Sequence, residues 1–226
     1  MKNNSKAGEC VHWYEKGAIL GRMALHRPQD IPPLLRDRET AQKLRRDLPE
    51  HGEIQAEFSR VLLSAPSRTD LEQFEEIWVG QAYGMDEAFV PQPGWTVVDV
   101  GANIGCFTLW AAFCMRQGQI LAFEPMPTTF DYLQRNIQDN GSRFSSVVIQ
   151  AQPYAVADIS DTLSMLLVAE STGWNRLIAG DDLAKETRPI IQVSAKTLDA
   201  LIPELPVDLL KVDVEGAELK VFSGAV

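Results

Sequence analysis

One short stretch constrains the fold of this chain more than any other, namely "TVVDVGANIGCFTL" at residues 96–109. An apolar run reaches Asp99, a turn containing Gly101 and Gly105 follows, and a second apolar run begins at once. This pattern predicts a buried parallel strand that leads through a tight turn into a helix. In an open α/β sheet, ligands bind outside the carboxyl ends of the strands, which is where Asp99 is expected. The stretch therefore predicts a ligand site together with a fold.

The residues that follow alternate between predicted strands and helices. We expect strands over 96–100, 119–125, 145–152 and 207–216, helices over 106–117, 128–141 and 197–206, and a hairpin-like insertion over 161–182. Strands that alternate with helices through short turns form right-handed βαβ units. The sequence thus predicts an α/β, Rossmann-like fold, with a mostly parallel sheet and helices on both faces.

Residues 1–90 have a different pattern, which we interpret as an N-terminal helical segment. Residues 53–65 carry apolar side chains at helical spacing, and Thr69 or Asp70 is a suitable N-cap for a further helix. The turn "VPQPG" at 90–94 marks the boundary with a domain over 91–226. The N-terminal segment is the expected lid over the ligand site.

Composition excludes several classes of partner. The net charge of −10 is concentrated after residue 60, and an acidic body repels phosphates, so we expect no nucleic-acid partner. No long apolar run or signal-peptide core occurs, so we expect no membrane partner. Cys10, Cys106 and Cys114 lack CxxC spacing, and we interpret them as reduced thiols of a cytoplasmic protein. The oligomeric state is left open.

A second acidic residue suggests which ligand the site takes. Glu124 ends the next predicted strand, and a carboxylate there can accept both hydroxyls of a ribose. The turn reads G-A-N-I-G rather than G-x-G-x-x-G, so the pyrophosphate signature of NAD is missing. S-adenosylmethionine, which has a ribose and adenine without a pyrophosphate, fits better. The alternative is structural, with Asp99 capping the following helix and Glu124 as a surface acid.

Four segments together resemble the FkbM-type S-adenosylmethionine-dependent methyltransferases: "VVDVGANIGCFTL", "FEP" at 123–125, "TLDAL" at 197–201 and "DLLKVDVEGAELKVFSGA" at 208–225. The resemblance covers roughly residues 80–226. It implies a class I methyltransferase fold and O-methylation of a small molecule, a sugar or a polyketide-type intermediate of secondary metabolism. The family pattern continues through a fifth strand and a final hairpin. We therefore expect a C-terminally truncated domain with an unpaired sheet edge beside its fourth strand.

The resemblance also implies roles for individual residues. The methionine pocket would be shaped by Asp99, Gly101, Ala102, Asn103 and Gly105, the ribose would be held by Glu124 with Pro125, and the adenine would be flanked by Tyr154, Ala155 and Asp158. By the same analogy, Asp213 and Glu215 would lie nearest the transferred methyl group.

An alcohol acceptor must lose its proton near the transition state. Asp213 or Glu215 is the expected base, unless one of them orients a histidine that acts instead. The three histidines are His12, His26 and His51, all in the N-terminal segment.

Several alternatives stay open at this point. Asp213 and Glu215 can equally cap the last helix or hold magnesium, although no HxH, HExxH or CxxC spacing predicts a metal site. Lys211 is either a structural partner of a nearby acid or a functional residue, and residues 174–176 either contact the acceptor or form a turn. A non-catalytic nucleotide-pocket interaction module is the alternative function, and a nucleotide-dependent oxidoreductase is a weaker one.

Overall fold

The computed structural model describes residues 12–14, 17–21, 51–58, 61–79, 82–168, 172–203 and 205–225. The strands in chain order are β1 (His12–Tyr14), β2 (Gly17–Gly21), β3 (His51–Phe58), β4 (Val61–Ser67), β5 (Thr96–Val100), β6 (Gly118–Phe123), β7 (Val147–Gln152), β8 (Ala155–Val156), β9 (Thr162–Leu166), β10 (Arg176–Leu177), β11 (Ile190–Lys196) and β12 (Leu209–Val212). The helices are α1 (Arg68–Phe74), which continues as a π-helical turn (Glu75–Val79), α2 (Cys106–Met115), α3 (Pro127–Asp139), α4 (Gly180–Lys185), α5 (Leu198–Leu201) and α6 (Glu218–Ser223). Short 3-10 turns lie at Glu87–Phe89 and Thr172–Trp174.

The main sheet has the predicted α/β architecture. Its strand order is β1-β2-β12-β5-β6-β7, and the four strands from β12 to β7 pair in parallel. The register places Asp99 on β5 beside Lys211 on β12 and Ala122 on β6. The carboxyl ends of these three strands therefore meet at one edge. The expected unpaired edge beside β12 is wrong, because β2 pairs with β12 in antiparallel fashion.

A smaller sheet contains the predicted insertion. Its order is β10-β9-β11-β8, and β9 and β10 form the expected antiparallel hairpin, with Leu166 opposite Arg176. β11 pairs antiparallel with β9 and parallel with β8. This sheet holds the Thr172–Trp174 turn close to the end of the main sheet.

The helix that we expected over 53–65 is wrong, because β3 and β4 form an antiparallel hairpin there. Val61, Leu63 and Ala65 are buried on β4 whereas Leu62 is exposed, which is the two-residue period of a strand. A short apolar run fits a helix or a strand, and packing against α3 decided between them. The helix expected after Thr69 or Asp70 does form, and it begins at Arg68.

Two asparagines of α3 bind the free edge of β4. The Asn136 side chain accepts the Ser64 N–H (2.7 Å) and donates to the Ser64 carbonyl oxygen (2.9 Å). One helical turn later, Asn140 does the same with Leu62, at 3.0 and 2.7 Å. The two amides therefore satisfy strand groups that would otherwise lack partners, and they fix the hairpin that leads into α1.

The core lies on both faces of the main sheet. On one face, Phe74 and Trp78 stack with ring centroids 5.0 Å apart and pack with Phe107 and Trp110 of α2. On the other face, apolar residues of the sheet pack against α5 and α6. Across the described ranges, every helix is too short or too polar to cross a membrane.

Candidate active site

A cleft opens where β5, β6 and β12 end. Its floor is formed by the turn after β5, by Glu124 after β6, and by Lys211 and Asp213 at the end of β12. The opposite wall comes from α1 and its π-helical continuation, from Tyr83, and from the Thr172–Trp174 turn. Several residues between 73 and 83 of the N-terminal segment thus form part of the cleft wall, and the role of this segment as a lid stays a prediction.

The turn after β5 is shaped by the close approach of two strand ends. The N–H groups of Gly101 and Ala102 both donate to the Phe123 carbonyl oxygen, at 3.0 Å each. Gly101 has φ +76°, and a Cβ atom there would overlap the Asp213 carbonyl oxygen. Only glycine accommodates both this conformation and this contact. The turn is therefore packed directly between the ends of β6 and β12.

Glu124 is held by two backbone N–H groups. Its Oε2 accepts the Asn103 N–H at 2.9 Å, and its Oε1 accepts the Met126 N–H at 3.0 Å. Burial raises the pKa of Glu124 to about 7, although the two N–H bonds and Lys211 favour the anion. Each oxygen accepts one bond from the backbone and retains a lone pair, so the side chain is an oriented acceptor on the cleft floor.

Asp99 lies beneath the cleft and anchors it. It is fully buried, its Oδ2 accepts the Thr108 hydroxyl at 2.6 Å, and its Oδ1 lies 3.0 Å from Lys211 Nζ. Lys211 Nζ also donates to the Gly101 carbonyl oxygen at 2.7 Å. Burial opposes the charge of Lys211, but Asp99 and Asp213 raise its pKa above the usual value, so the ammonium persists. Lys211 is thus the structural partner of Asp99, and it also fixes the glycine turn.

Asp213 points a carboxylate into the cleft. Its Oδ2 accepts the Tyr83 hydroxyl at 3.4 Å, and its buried Oδ1 has no hydrogen-bond partner among the described residues. Burial raises the pKa of Asp213, while Lys211 pulls it down. The same loop is held by Glu218, whose Oε1 accepts the N–H groups of Val214 (3.4 Å) and Gly216 (3.2 Å). Glu218, the first residue of α6, therefore holds the loop before the helix, and neither it nor Asp213 makes a side-chain cap bond to α6.

Nine of the predicted site residues line this cleft: Gly101, Ala102, Asn103, Glu124, Pro125, Tyr154, Ala155, Asp213 and Glu215. Asn103 and Glu215 both have φ +50°, a left-handed conformation that is uncommon outside glycine and often marks functional sites.

Three predicted residues do not line the cleft. Asp99 lies beneath the cleft. Gly105 caps α2 through its backbone and packs against Leu133. Asp158 does not line the cleft, and its expected adenine contact stays a prediction. After β8 the backbone makes a hydrogen bond to the end of β11. The Asp158 carboxylate lies 3.7 Å from Lys220, and both side chains are exposed.

Other expectations fall outside the cleft or outside the described part of the chain. Cys10, His26 and the side chains of His12 and His51 lie outside the described residues. Cys106 lines the cleft, but burial raises the pKa of its thiol far above the usual value, so it is no nucleophile. Within the ranges that the structure describes, no three His, Cys, Asp or Glu side chains are grouped to hold a metal ion.

Sequence reasoning missed several residues that line the cleft, and four of them lie in two segments distant in the chain from the glycine turn. Tyr83 and Gln73 belong to the segment after β4, and Thr172 and Gly173 belong to the insertion, where the sequence indicated residues 174–176 instead. No local pattern marks these four as site residues, since they reach the cleft only through tertiary packing.

Comparison with known proteins gives the family. The Methyltransferase FkbM domain matches residues 99–226. "Methyltransferase 1" of Beauveria bassiana (strain ARSEF 2860) is 34% identical over 169 residues, which cover 66% of this chain and 65% of that protein. "Methyltransferase sdnD" of Sordaria araneosa is 30% identical over 179 residues, 67% of each chain. This chain therefore spans about two thirds of the length of these curated relatives.

Among solved structures, the methyltransferase FkbM from Methylobacillus flagellatus KT is similar at 13% identity, with a TM-score of 0.35 over 84% of this chain and 44% of that chain. At that TM-score, the likeness supports no inference about the site. The family match spans more than half of the chain and includes the glycine turn, Glu124 and the loop after β12. This chain belongs to the FkbM methyltransferase family.

Proposed function

We propose that this protein is an S-adenosylmethionine-dependent methyltransferase that methylates a hydroxyl group of a small-molecule or carrier-bound acceptor. The observation that carries the proposal is the oriented Glu124 carboxylate, held beside the glycine turn at the end of β6. S-adenosylmethionine supplies an electrophilic methyl group on a sulfonium centre. Neither a nucleic acid nor a membrane is part of the proposal, and the unpaired thiols of Cys106 and Cys114 agree with a cytoplasmic location.

The residues of the cleft fit this cofactor. Glu124 would accept the ribose hydroxyls, and the backbone of residues 101–103 would hold the methionine end. Apolar side chains suited to adenine line the part of the cleft near Tyr154, among them Val156 and Met165. The carboxylates of Glu124, Asp213 and Glu215 outnumber the lining ammonium of Lys211, which Asp99 already neutralises. A cation is therefore favoured in this cleft.

Asp213 has the properties of a general base for the acceptor hydroxyl. Asp213 lines the cleft, its buried Oδ1 has no hydrogen-bond partner among the described residues, and burial raises its pKa, which makes the anion a stronger proton acceptor. Burial also raises the pKa of Tyr83 well above its usual value, so that its hydroxyl keeps its proton and holds Oδ2. In this assignment Tyr83 orients Asp213, and the surrounding walls exclude water while donor and acceptor are aligned.

The acidic wall favours an uncharged hydroxyl over a carboxylate as the acceptor. Glu76 on the opposite wall and Glu215 in the loop after β12 line the same cleft as Asp213. An anionic acceptor would be repelled by these groups, whereas an alcohol contributes a proton that Asp213 can accept. Polyketide-type hydroxyls and neutral sugars of secondary metabolism belong to this class.

Replacing Glu124 with alanine tests the cofactor assignment. We expect the intact protein to bind S-adenosylhomocysteine with micromolar affinity in isothermal titration calorimetry and to show no binding of NAD. Glu124→Ala removes two hydrogen bonds to a charged acceptor, so the affinity should fall by about a hundredfold or more. Glu186→Ala, which removes a carboxylate that is bound to Arg188 outside the cleft, is the matched control and should bind normally.

The titration also separates the alternative functions. Binding of NAD in preference to S-adenosylhomocysteine would favour the oxidoreductase. Binding of S-adenosylhomocysteine without transfer of a labelled methyl group to any acceptor in a panel of neutral alcohols would favour the non-catalytic module. A folded protein that binds neither compound contradicts the proposal.

Replacing Asp213 with asparagine tests the base. The variant keeps the size and the hydrogen bond to Tyr83 but cannot remove a proton. With an acceptor identified from the alcohol panel, kcat should fall by about a hundredfold, while the affinity for S-adenosylhomocysteine should change little. Unchanged kcat would assign the proton transfer to another group, and Glu215→Gln is the variant to compare.

A further inference from the structure

A chain of hydrogen bonds connects α1 with the insertion. The Ser67 hydroxyl donates to Asp70 Oδ2 at 2.6 Å. Asp70 Oδ1 accepts both the backbone N–H and the side-chain hydroxyl of Thr172, each at 2.8 Å. Asp70 is almost completely buried, so this carboxylate is a specific anchor for the Thr172–Trp174 turn. Two segments that are 102 residues apart in the chain are thereby joined over the cleft.

The series of hydrogen bonds continues from Thr172 to the carboxylate of Glu124. Thr172 Oγ1 lies 2.8 Å from Asn103 Oδ1, so its single proton is shared between Asp70 and Asn103. The Asn103 side-chain NH2 donates to Gln73 Oε1 at 2.6 Å. The Asn103 backbone N–H then donates to Glu124 Oε2. One end of the Asn103 side chain is therefore held by Gln73 of α1 and the other by Thr172 of the insertion, and its backbone N–H holds Glu124.

Asn103 needs this support because of its backbone conformation. Its φ of +50° is left-handed, and such a residue persists when its surroundings hold it in place. The segments that hold it are closely packed, since a Cβ atom at Gly173 would overlap the Gln73 amide nitrogen. If Asn103 relaxes, the N–H that fixes Glu124 turns away.

We propose that Thr172 and Asp70 are positioning residues that hold Glu124 in its binding orientation through Asn103. Neither residue belongs to the segments that carry the family resemblance, and Asp70 is connected to Glu124 only through Thr172 and Asn103. The inference rests on the proposed function, because it assigns Glu124 to the cofactor ribose. It gives the insertion and the segment after β4 a direct part in cofactor affinity.

The test compares Thr172→Val, which removes the hydroxyl and keeps the shape, with Thr172→Ser, which keeps the hydroxyl. Thr187→Val, in an exposed loop, is the control. Each purified protein is titrated with S-adenosylhomocysteine between pH 6 and pH 9, and its thermal unfolding midpoint is measured. We expect Thr172→Val to bind about tenfold more weakly at pH 7, and Thr172→Ser and Thr187→Val to bind like the intact protein.

The pH profile separates positioning of Glu124 from general support of the fold. Because the pKa of Glu124 is about 7, affinity in the intact protein should rise as pH increases through about 7, where the carboxylate becomes the full acceptor. Lys211 favours the anion and Asp99 opposes it, and neither is changed by the substitution. In Thr172→Val the midpoint should move to higher pH, because the Asn103 N–H no longer stabilises the anion. Glu124→Gln should abolish this transition.

Two results overturn the inference. The first is a Thr172→Val protein with the affinity and pH midpoint of the intact protein. The second is a Thr172→Ser protein that loses as much affinity as Thr172→Val, since shape rather than the hydroxyl would then matter. Failure of the intact, folded protein to bind S-adenosylhomocysteine overturns the proposed function and this inference with it, so the two failures are distinguishable.

Discussion

Lys211→Met is expected to lower the free energy of unfolding by about 3–5 kcal/mol. Methionine replaces most of the apolar stem of the lysine but removes the ammonium, and leaves Asp99 as a fully buried carboxylate without its ion-pair partner. The Gly101 carbonyl oxygen loses a hydrogen bond of 2.7 Å in the same substitution. Breaking a buried pair from one side is costly, because the remaining charge has neither water nor a counter-charge.

Urea unfolding followed by circular dichroism measures the effect. Lys220→Met is the matched control, since Lys220 lies 3.7 Å from Asp158 in an exposed pair and should contribute no more than about 0.5 kcal/mol. The double variant Lys211→Met with Asp99→Asn should recover part of the loss, because the unpaired charge is then absent. Equal losses for Lys211→Met and Lys220→Met would contradict the assignment of Lys211 as the cation that holds the cleft together.

Gly101→Ala is expected to cost about 3–5 kcal/mol and to abolish binding of S-adenosylhomocysteine. A Cβ atom would overlap the Asp213 backbone, which cannot move without breaking the pairing of β12 with β5. The positive φ adds a conformational penalty of its own. Because the strand ends separate, Glu124, Asn103 and Asp213 would no longer surround one cleft.

Gly94→Ala separates the two contributions. Gly94 has a similar φ of +88°, but no atom lies within 4 Å of its Cβ position, so only the backbone penalty of about 1–2 kcal/mol applies. Thermal or urea unfolding of both variants gives the difference, which reports the overlap with Asp213. If Gly101→Ala is no less stable than Gly94→Ala, the close approach of β5 and β12 is looser than the structure shows.

The α/β architecture and the floor of the cleft followed from local sequence patterns. The apolar runs of β5, β6 and β12 are largely buried on both faces of a parallel sheet, which leaves a continuous signal in the sequence, whereas β7 at the sheet edge is only partly buried. Asp99, Glu124 and Asp213 come directly after or near the ends of these strands. Their approximate meeting place was therefore predictable, since the carboxyl ends of parallel strands share one edge.

The cleft wall opposite the floor, which is formed by the segment after β4 and by the insertion, could not be derived in the same way. Residues 53–65 carry a short apolar run whose spacing is compatible with either a helix or a strand, and contacts of Asn136 and Asn140 with β4 favoured the strand. Tyr83, Gln73 and Thr172 are polar or amphipathic residues in segments without a motif. Their roles arise from partners that are 30 to 130 residues distant in the chain.

By itself, the sequence determined the order of strands and helices from β5 to β7, the glycine turn and the acids at the strand ends, because each depends on residues that are neighbours in the chain. Only the tertiary structure decided that Asp99 lies below the cleft with Lys211, that Asp158 points away from it, and that Thr172 reaches Asn103. These features depend on burial, on strand register and on hydrogen bonds between distant segments. Such contacts set the charge and the orientation of each side chain, and no local pattern records them.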